Sequence, residues 1–374
     1  MRRLSIIHFA PIEWYPPVMN WLNYLASEWP ECEVRVYTLR SHKPEERFEP
    51  ANGVIRVIRP VTVSYGGTVA RSLSYFLFYL RALLGLITWR PGAVLYYETM
   101  SSLPALIYKR WFGKKARLLI HYHEYVSPRE YQEGMKLTRW LHEKEAHFYR
   151  DADWLSQTND QRAAFFRADH KEPGLPSISI LPNYPPASWQ RTGEEAGRAD
   201  GVVKAVYVGA LSLETMYVRE MAEWVMGLGG RLTWDIYSGN SAAGAREYIE
   251  GLNSPWIRFH GGVDYYSLPA ILKQYHVGLI LYKGHIPNYI YNVPNKLYEY
   301  LVSGLDAWFP SVMTSSLGLL TEGAYPRVAA LDFTRLKEVD LFSLSTREGL
   351  IFRAHRYSYE QALRPLLEKL KQMA

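Results

Sequence analysis

Apolar and polar positions along the chain alternate between two rhythms. Short, nearly continuous runs of aliphatic and aromatic residues are separated by longer stretches whose apolar residues return every three or four positions. The first rhythm fits strands buried on both faces, and the second fits helices packed on them. In the first half this predicts strands at Leu4–Phe9, Cys32–Thr38, Val54–Pro60, Ala93–Tyr97 and Arg117–Tyr122. Helices are predicted at Val18–Glu28, Ser102–Phe112 and Trp140–Tyr149. The pattern restarts with strands at Lys204–Val208, Leu232–Ser238 and Val277–Leu281, and a helix at Leu268–Tyr275. Such alternation implies an α/β protein with doubly wound parallel sheets. The polar, turn-rich stretch 186–201 reads as a linker between domains at 1–185 and 202–350, followed by a closing segment at 351–374.

Composition narrows the class. A length of 374 residues suits two domains, and 48% hydrophobic with 21% charged residues is globular. Cys32 is the single cysteine, so no internal disulfide can form and no cysteine-based metal site is available. That usage suits a reducing compartment, and the first apolar run is short enough to read as a strand rather than a leader. The net charge of +6 permits anionic substrates, membranes or nucleic acid. No compact basic cluster or nucleic-acid module supports the last. Ser72–Trp89 is apolar, but Arg81 lies at its centre, so a core or interfacial helix is expected rather than a span. With Arg71 and Arg90 at its ends, the helix would suit a bilayer surface, giving a cytoplasmic protein with peripheral contact at the inner face of the membrane.

Candidate chemistry concentrates in Asn292–Gly304. Asn292 is a candidate N-cap, Pro294 fits a first turn and Gly304 fits a stop, which predicts a helix of about three turns. Its amino end would favour a phosphate. Lys296 and Glu299 share one face, placing a cation for a diphosphate beside a carboxylate for a ribose diol. Spacing alone equally fits an exposed Lys–Glu pair on an ordinary amphipathic helix.

The wording goes further than the spacing. Pro294-Asn295-Lys296-Leu297-Tyr298-Glu299-Tyr300-Leu301 with Ser303-Gly304 resembles the donor-site segment of GT-B glycosyltransferases, family 4 in particular. His121-Tyr122-His123-Glu124 resembles that family's Asp-x-His-Glu signature, with His121 in place of the Asp. Val208-Gly209-Ala210-Leu211, Phe259-His260-Gly261-Gly262-Val263 and Tyr357-Ser358-Tyr359-Glu360 match further family segments in the right order. The resemblance implies a GT-B fold: two Rossmann-like doubly wound domains facing across a cleft, with a C-terminal helix crossing back to the first. The first domain would serve the acceptor and the second the donor. It also implies a retaining enzyme moving a sugar from a nucleoside diphosphate sugar to a saccharide or lipid-linked acceptor, in cell-surface polysaccharide or glycolipid synthesis.

By the same resemblance Gly209, Gly261, Val263, Lys296, Leu297 and Glu299 would bind the donor, and His123 would act at the transferred sugar. Glu13, Glu124 and Tyr291 are candidate sugar or acceptor contacts. Neither a cofactor nor a divalent metal is implied. His121 and His123 have a spacing compatible with metal ligands, but no second cluster follows. Tyr291 stands where the family usually has a first Glu. The nearest cation following Gly209 in sequence is Arg219, where the family usually has one closer. The alternatives are a nucleotide-sugar epimerase, a non-catalytic GT-B binding or partner protein, and a basic nucleic-acid binder.

Overall fold

The computed structural model describes residues 3–41, 47–62, 67–171, 173–191, 193 and 201–373. It divides into two compact units, Met1–Asn183 with Tyr359–Ala374, and Tyr184–Ser358. Residues 192 and 194–200 of the expected linker lie outside the described residues.

The first unit is built on a parallel sheet of β1 (Arg3–His8), β2 (Glu33–Thr38), β3 (Ile55–Ile58), β4 (Ala93–Tyr97), β5 (Arg117–Tyr122), β6 (Trp154–Gln157) and β7 (Ile178–Ile180). The strand order is 3-2-1-4-5-6-7. The winding therefore reverses between β1 and β4, and the carboxyl ends of these two strands mark the crevice where doubly wound sheets take ligands. Helices α1 (Pro16–Glu28), α2 (Thr68–Trp89), α3 (Ser102–Ile107), α4 (Pro128–Glu133), α5 (Lys136–Ala146) and α6 (Asp160–Asp169) accompany the strands. All five residues of β4 are buried, as expected for a central strand covered on both faces. The helix predicted to run to Phe112 is α-helical only to Ile107 and continues as a π-helical turn through Tyr108–Phe112.

The second unit repeats the plan. Its sheet holds β8 (Val203–Val208), β9 (Leu232–Tyr237), β10 (Ile257–Gly261), β11 (Val277–Leu279), β12 (Asp306–Pro310) and β14 (Val328–Leu331), in the order 10-9-8-11-12-14. A small pair is formed by β13 (Ala324–Tyr325) and β15 (Ile351–Phe352). The helices are α7 (Val218–Gly227), α8 (Ala245–Gly251), α9 (Leu268–Leu272), α10 (Pro287–Ile290), α11 (Asn295–Val302) and α12 (Leu341–Ser345). Here the winding reverses between β8 and β11. The last helix, α13 (Tyr359–Gln372), belongs to the first unit. It buries Leu366, Leu367 and Leu370, and Lys371 Nζ donates to the Glu28 carbonyl at the end of α1 (2.8 Å).

The expected start of α11 is corrected as well. Asn292 does not cap α11. The helix begins at Asn295 with Pro294 at its N-cap, extended at ψ 146°. A residue before proline disfavours helical geometry, which keeps Val293 outside the helix, and the Asn292 carbonyl is instead held by Ser316 Oγ (2.8 Å). Gly304, at φ +87°, turns the chain just after the helix, as its position suggested.

Candidate functional site

In the second unit, the features gather where β8 and β11 end. Tyr300 fixes α11 there. Its hydroxyl accepts from the Val208 N–H of β8 (3.2 Å) and donates to the Leu279 carbonyl of β11 (3.4 Å). The ring needs a glycine at 278, because a Cβ there would overlap it. Leu297, Leu301 and Val302 complete the buried face of the helix. Leu297 can therefore offer a ligand backbone only, and its N–H already donates to the Pro294 carbonyl (3.0 Å).

With the helix held, the Lys296 side chain crosses the backbone of Gly209, the first residue after β8. Gly209 sits at φ +140°, and a Cβ on it would overlap Lys296 Cε and lie 3.0 Å from Nζ. Two positions 87 apart in sequence are thus one feature: a glycine that leaves a trough and a lysine stem lying in it. One turn along, Glu299 is only 2% exposed, which rules out the ordinary surface pair. Its Oε1 accepts from Asn295 Nδ2 (2.7 Å). Burial raises its pKa, opposed by the Lys296 charge and the Asn295 hydrogen bond. A carboxylate that a neighbouring ammonium helps to keep ionised is a strong acceptor for hydroxyl groups.

The second cation is Lys283, which the sequence reading passed over. From the β11 exit its Nζ reaches Glu220 (3.6 Å) and the Leu213 carbonyl (3.4 Å) in the loop after β8. Arg219 instead lies over the Tyr248 ring at 4.5 Å. Gly261 ends β10 at φ +74°, and a Cβ on Gly262 would lie 3.0 Å from Gly239 Cα. Val263, half-buried, packs on the cluster that contains Leu268 and Leu297. Tyr291, also half-buried, closes α10 with its N–H on the Pro287 carbonyl (2.9 Å).

In the first unit, the reversal between β1 and β4 is lined by rings. His123 stacks on Tyr97 (centroids 5.0 Å apart, 5° between planes), and His121 meets it edge-on at 4.6 Å. Tyr15 and His8 lie at 5.5 and 6.2 Å from the same ring. Burial lowers the pKa of His8 to about 4 and of His121 to about 3, and pushes His123 well below the usual imidazole range. In all three, burial favours the neutral imidazole. His8 Nδ1 donates to the Ala10 carbonyl (2.6 Å), leaving Nε2 as a bare buried acceptor. Neither His123 nitrogen meets a partner in hydrogen-bonding geometry, although the Asn183 side chain lies near enough to raise its basicity slightly. Neutral imidazoles with vacant nitrogens can bind sugar hydroxyls without carrying charge.

The backbone of His123 is held from both sides. Arg162, 1% exposed, donates from Nη1 to the His123 carbonyl (2.6 Å). Glu98 Oε1 accepts from the His123 N–H (2.5 Å) and the Glu124 N–H (3.2 Å). Glu98 follows β4 at φ +61°, a conformation that costs a non-glycine residue. Its pKa is pushed up to about 8, first by burial and then by the Glu124 charge. Sequence reading missed Glu98, although a carboxylate directly after a wholly apolar strand is a usable signal. Glu124 itself is exposed. Glu13 is buried in an ion pair with Arg59 (2.6 Å), its Oε1 also accepting from the Phe48 N–H (3.2 Å), so that oxygen is already engaged. Among the described residues no group of three or more His, Cys, Asp or Glu side chains is arranged to hold a metal ion.

No protein-family pattern matches the chain, and no curated protein does. Solved structures do. Sucrose-phosphate synthase from Thermosynechococcus elongatus is similar with a TM-score of 0.68 at 14% identity, over 100% of this chain and 95% of that one. Anabaena HepE, in complex with UDP and glucose, gives 0.65 at 9% identity over 100% of both chains. The apo lipopolysaccharide outer core galactosyltransferase WaaB gives 0.63 at 13% identity over 98% and 99%. UDP-N-acetylglucosamine 2-epimerases are also among the similar structures. At these identities the likeness speaks for the fold, and over its whole length the chain has the two-sheet α/β architecture of the GT-B class.

Proposed function

We propose that the protein is a glycosyltransferase using a nucleoside diphosphate sugar, with the donor held at the β8–β11 reversal. The observation that carries this reading is the Lys296 stem lying across Gly209, with buried Glu299 one turn further on α11. The Lys296 ammonium would neutralise charge that grows on the departing diphosphate, stabilising the transition state more than the ground state. Glu299 would accept from the ribose hydroxyls, and the lysine beside it favours the ionised form that this needs. Gly261 and Val263 would present backbone to the base. His123, its ring kept neutral by burial, would contact the transferred sugar, while Glu98 and Arg162 hold its backbone in place. Retention, a saccharide or lipid-linked acceptor, and operation without a divalent ion complete the proposal. Its support is the motif resemblance together with this placement.

The test is a binding panel of UDP, GDP, ADP and their sugars on the wild type and on Lys296→Ala and Glu299→Gln. A charge-assisted hydrogen bond is worth about 1.5–3 kcal/mol, so Lys296→Ala is expected to weaken diphosphate binding by about 10- to 150-fold. Glu299→Gln is expected to shrink the preference for ribose over deoxyribose nucleotides. If no nucleotide binds the wild type, the reading fails. Incubating the donor without acceptor separates the epimerase alternative, which would return an isomerised sugar nucleotide.

A further inference from the structure

Helix α2 carries two apolar faces where a helix of a folded domain normally has one. Phe78, Ala82 and Leu86 are fully buried in the core of the first unit. Leu73, Phe76, Leu77, Leu80 and Leu84 form a second stripe at helical spacing that is open to solvent, with Phe76 60% exposed. The π-helical turn at Tyr108–Phe112 packs against α2 and adds Trp111 and Phe112, 70% and 57% exposed. Isolated exposed apolar side chains are common, but seven on one helix and the turn packed against it are not.

The charges beside this face have one sign. Arg71 and Arg81 are exposed on α2, and Arg90 at its C-cap. Arg110, Lys114 and Lys115 are exposed around Trp111, with Arg110 over its ring at 6.0 Å. Neither 68–97 nor 105–117 contains an acidic residue. Lys114 and Lys115 also border an open hollow lined by Pro91, Gly92, Tyr108 and Trp111.

We propose that this face is a docking surface for the anionic leaflet of a lipid bilayer, lying flat with its leucines, Phe76, Trp111 and Phe112 in the acyl boundary. Exposed aromatic and aliphatic side chains rimmed by arginine and lysine match an interface that is apolar below and negatively charged above. The helix does not cross the bilayer, although it is the one described helix long and apolar enough to do so. Leaving the unit would strip Phe78, Ala82 and Leu86 from the core and would bury Arg81. Nothing in this inference rests on the nucleotide site, which lies on other residues.

The test is flotation of the full chain with vesicles of phosphatidylcholine alone and of equal parts phosphatidylcholine and phosphatidylglycerol. The wild type is expected to float with the mixed vesicles and far less with the neutral ones. Lys114→Glu with Lys115→Glu is expected to weaken that binding by about thirtyfold or more, since two cations near the surface are lost and two anions take their place. Phe76→Glu with Leu80→Glu is expected to abolish it even at low salt. Thermal unfolding and nucleotide binding of both variants should match the wild type. The proposal is overturned if the wild type floats with neither vesicle, or binds both equally. It is also overturned if either variant floats like the wild type. A wild type that is dimeric by light scattering, and monomeric when Phe76 and Leu80 are replaced, would assign the face to a second copy of the chain instead.

Discussion

Replacing Gly209 by alanine adds one methyl group and should produce two separable effects. The first is on folding. A residue with a Cβ at φ +140° costs about 1–3 kcal/mol, so the urea midpoint should fall with little change in slope. The second is on binding. The new methyl would overlap Lys296 Cε, but the end of a lysine is flexible, so the stem can swing out with little further loss of stability. What it loses is its place over the β8 exit. If Lys296 contributes about 1.5–3 kcal/mol to holding a diphosphate, displacing it should weaken the best-binding nucleotide by up to about 10- to 150-fold. Isothermal titration of the wild type, both single variants and the double variant closes a cycle. Because the methyl acts through the lysine, Gly209→Ala should add nothing to Lys296→Ala. Nucleotide binding unchanged in Gly209→Ala, or effects of the two changes that simply add, would refute this account of the trough.

Two further predictions concern the framework. Glu145 is fully buried, accepts from the Tyr122 hydroxyl (2.6 Å), and has its pKa pushed up to about 7 by burial. Its folded value lies above the unfolded one, so the folded state keeps a proton that the unfolded chain releases as pH rises from about 4.5 to 7. The stability tied to this group is present at low pH and is lost across that window. Glu145→Gln should flatten the profile, gaining about 3 kcal/mol relative to the wild type between pH 4.5 and 8 in urea melts; parallel curves would contradict the argument. Gly278→Ala places a methyl inside the Tyr300 ring and should cost about 1–3 kcal/mol or more while loosening α11. An unchanged melting temperature with unchanged nucleotide affinity would show that Tyr300 does not pin the helix.

Much of this molecule could be read from its residues because parallel strands buried on both faces announce themselves. Ala93–Tyr97 and Arg117–Tyr122 have the bounds expected of them. β12 and β14 went unrecognised. Asp306-Ala307-Trp308-Phe309-Pro310 starts and ends on residues that discourage strands, and only tertiary burial makes it one. At the candidate site, the sequence joined Lys296 to Glu299 through helical periodicity, a local rule. It could not foresee the depth of Glu299 or the meeting of Lys296 with Gly209, because both depend on where Tyr300 anchors the helix. Glu98 was overlooked for a related reason: its backbone sign and its hold on His123 are properties of two strand exits together. Glu13 was a candidate sugar or acceptor contact because the partner that engages it, Arg59, is 46 residues away.

The return of α13 to the first unit bears on how the chain is made. The second unit is one uninterrupted stretch, Tyr184–Ser358, whereas the first is split between 1–183 and 359–374. During synthesis all of the second unit emerges before the piece that covers α1 and buries Leu366, Leu367 and Leu370. The half made first is thus finished last. Until α13 arrives, the surface it covers stays open to solvent, while the unit made in the middle already has every residue its core requires.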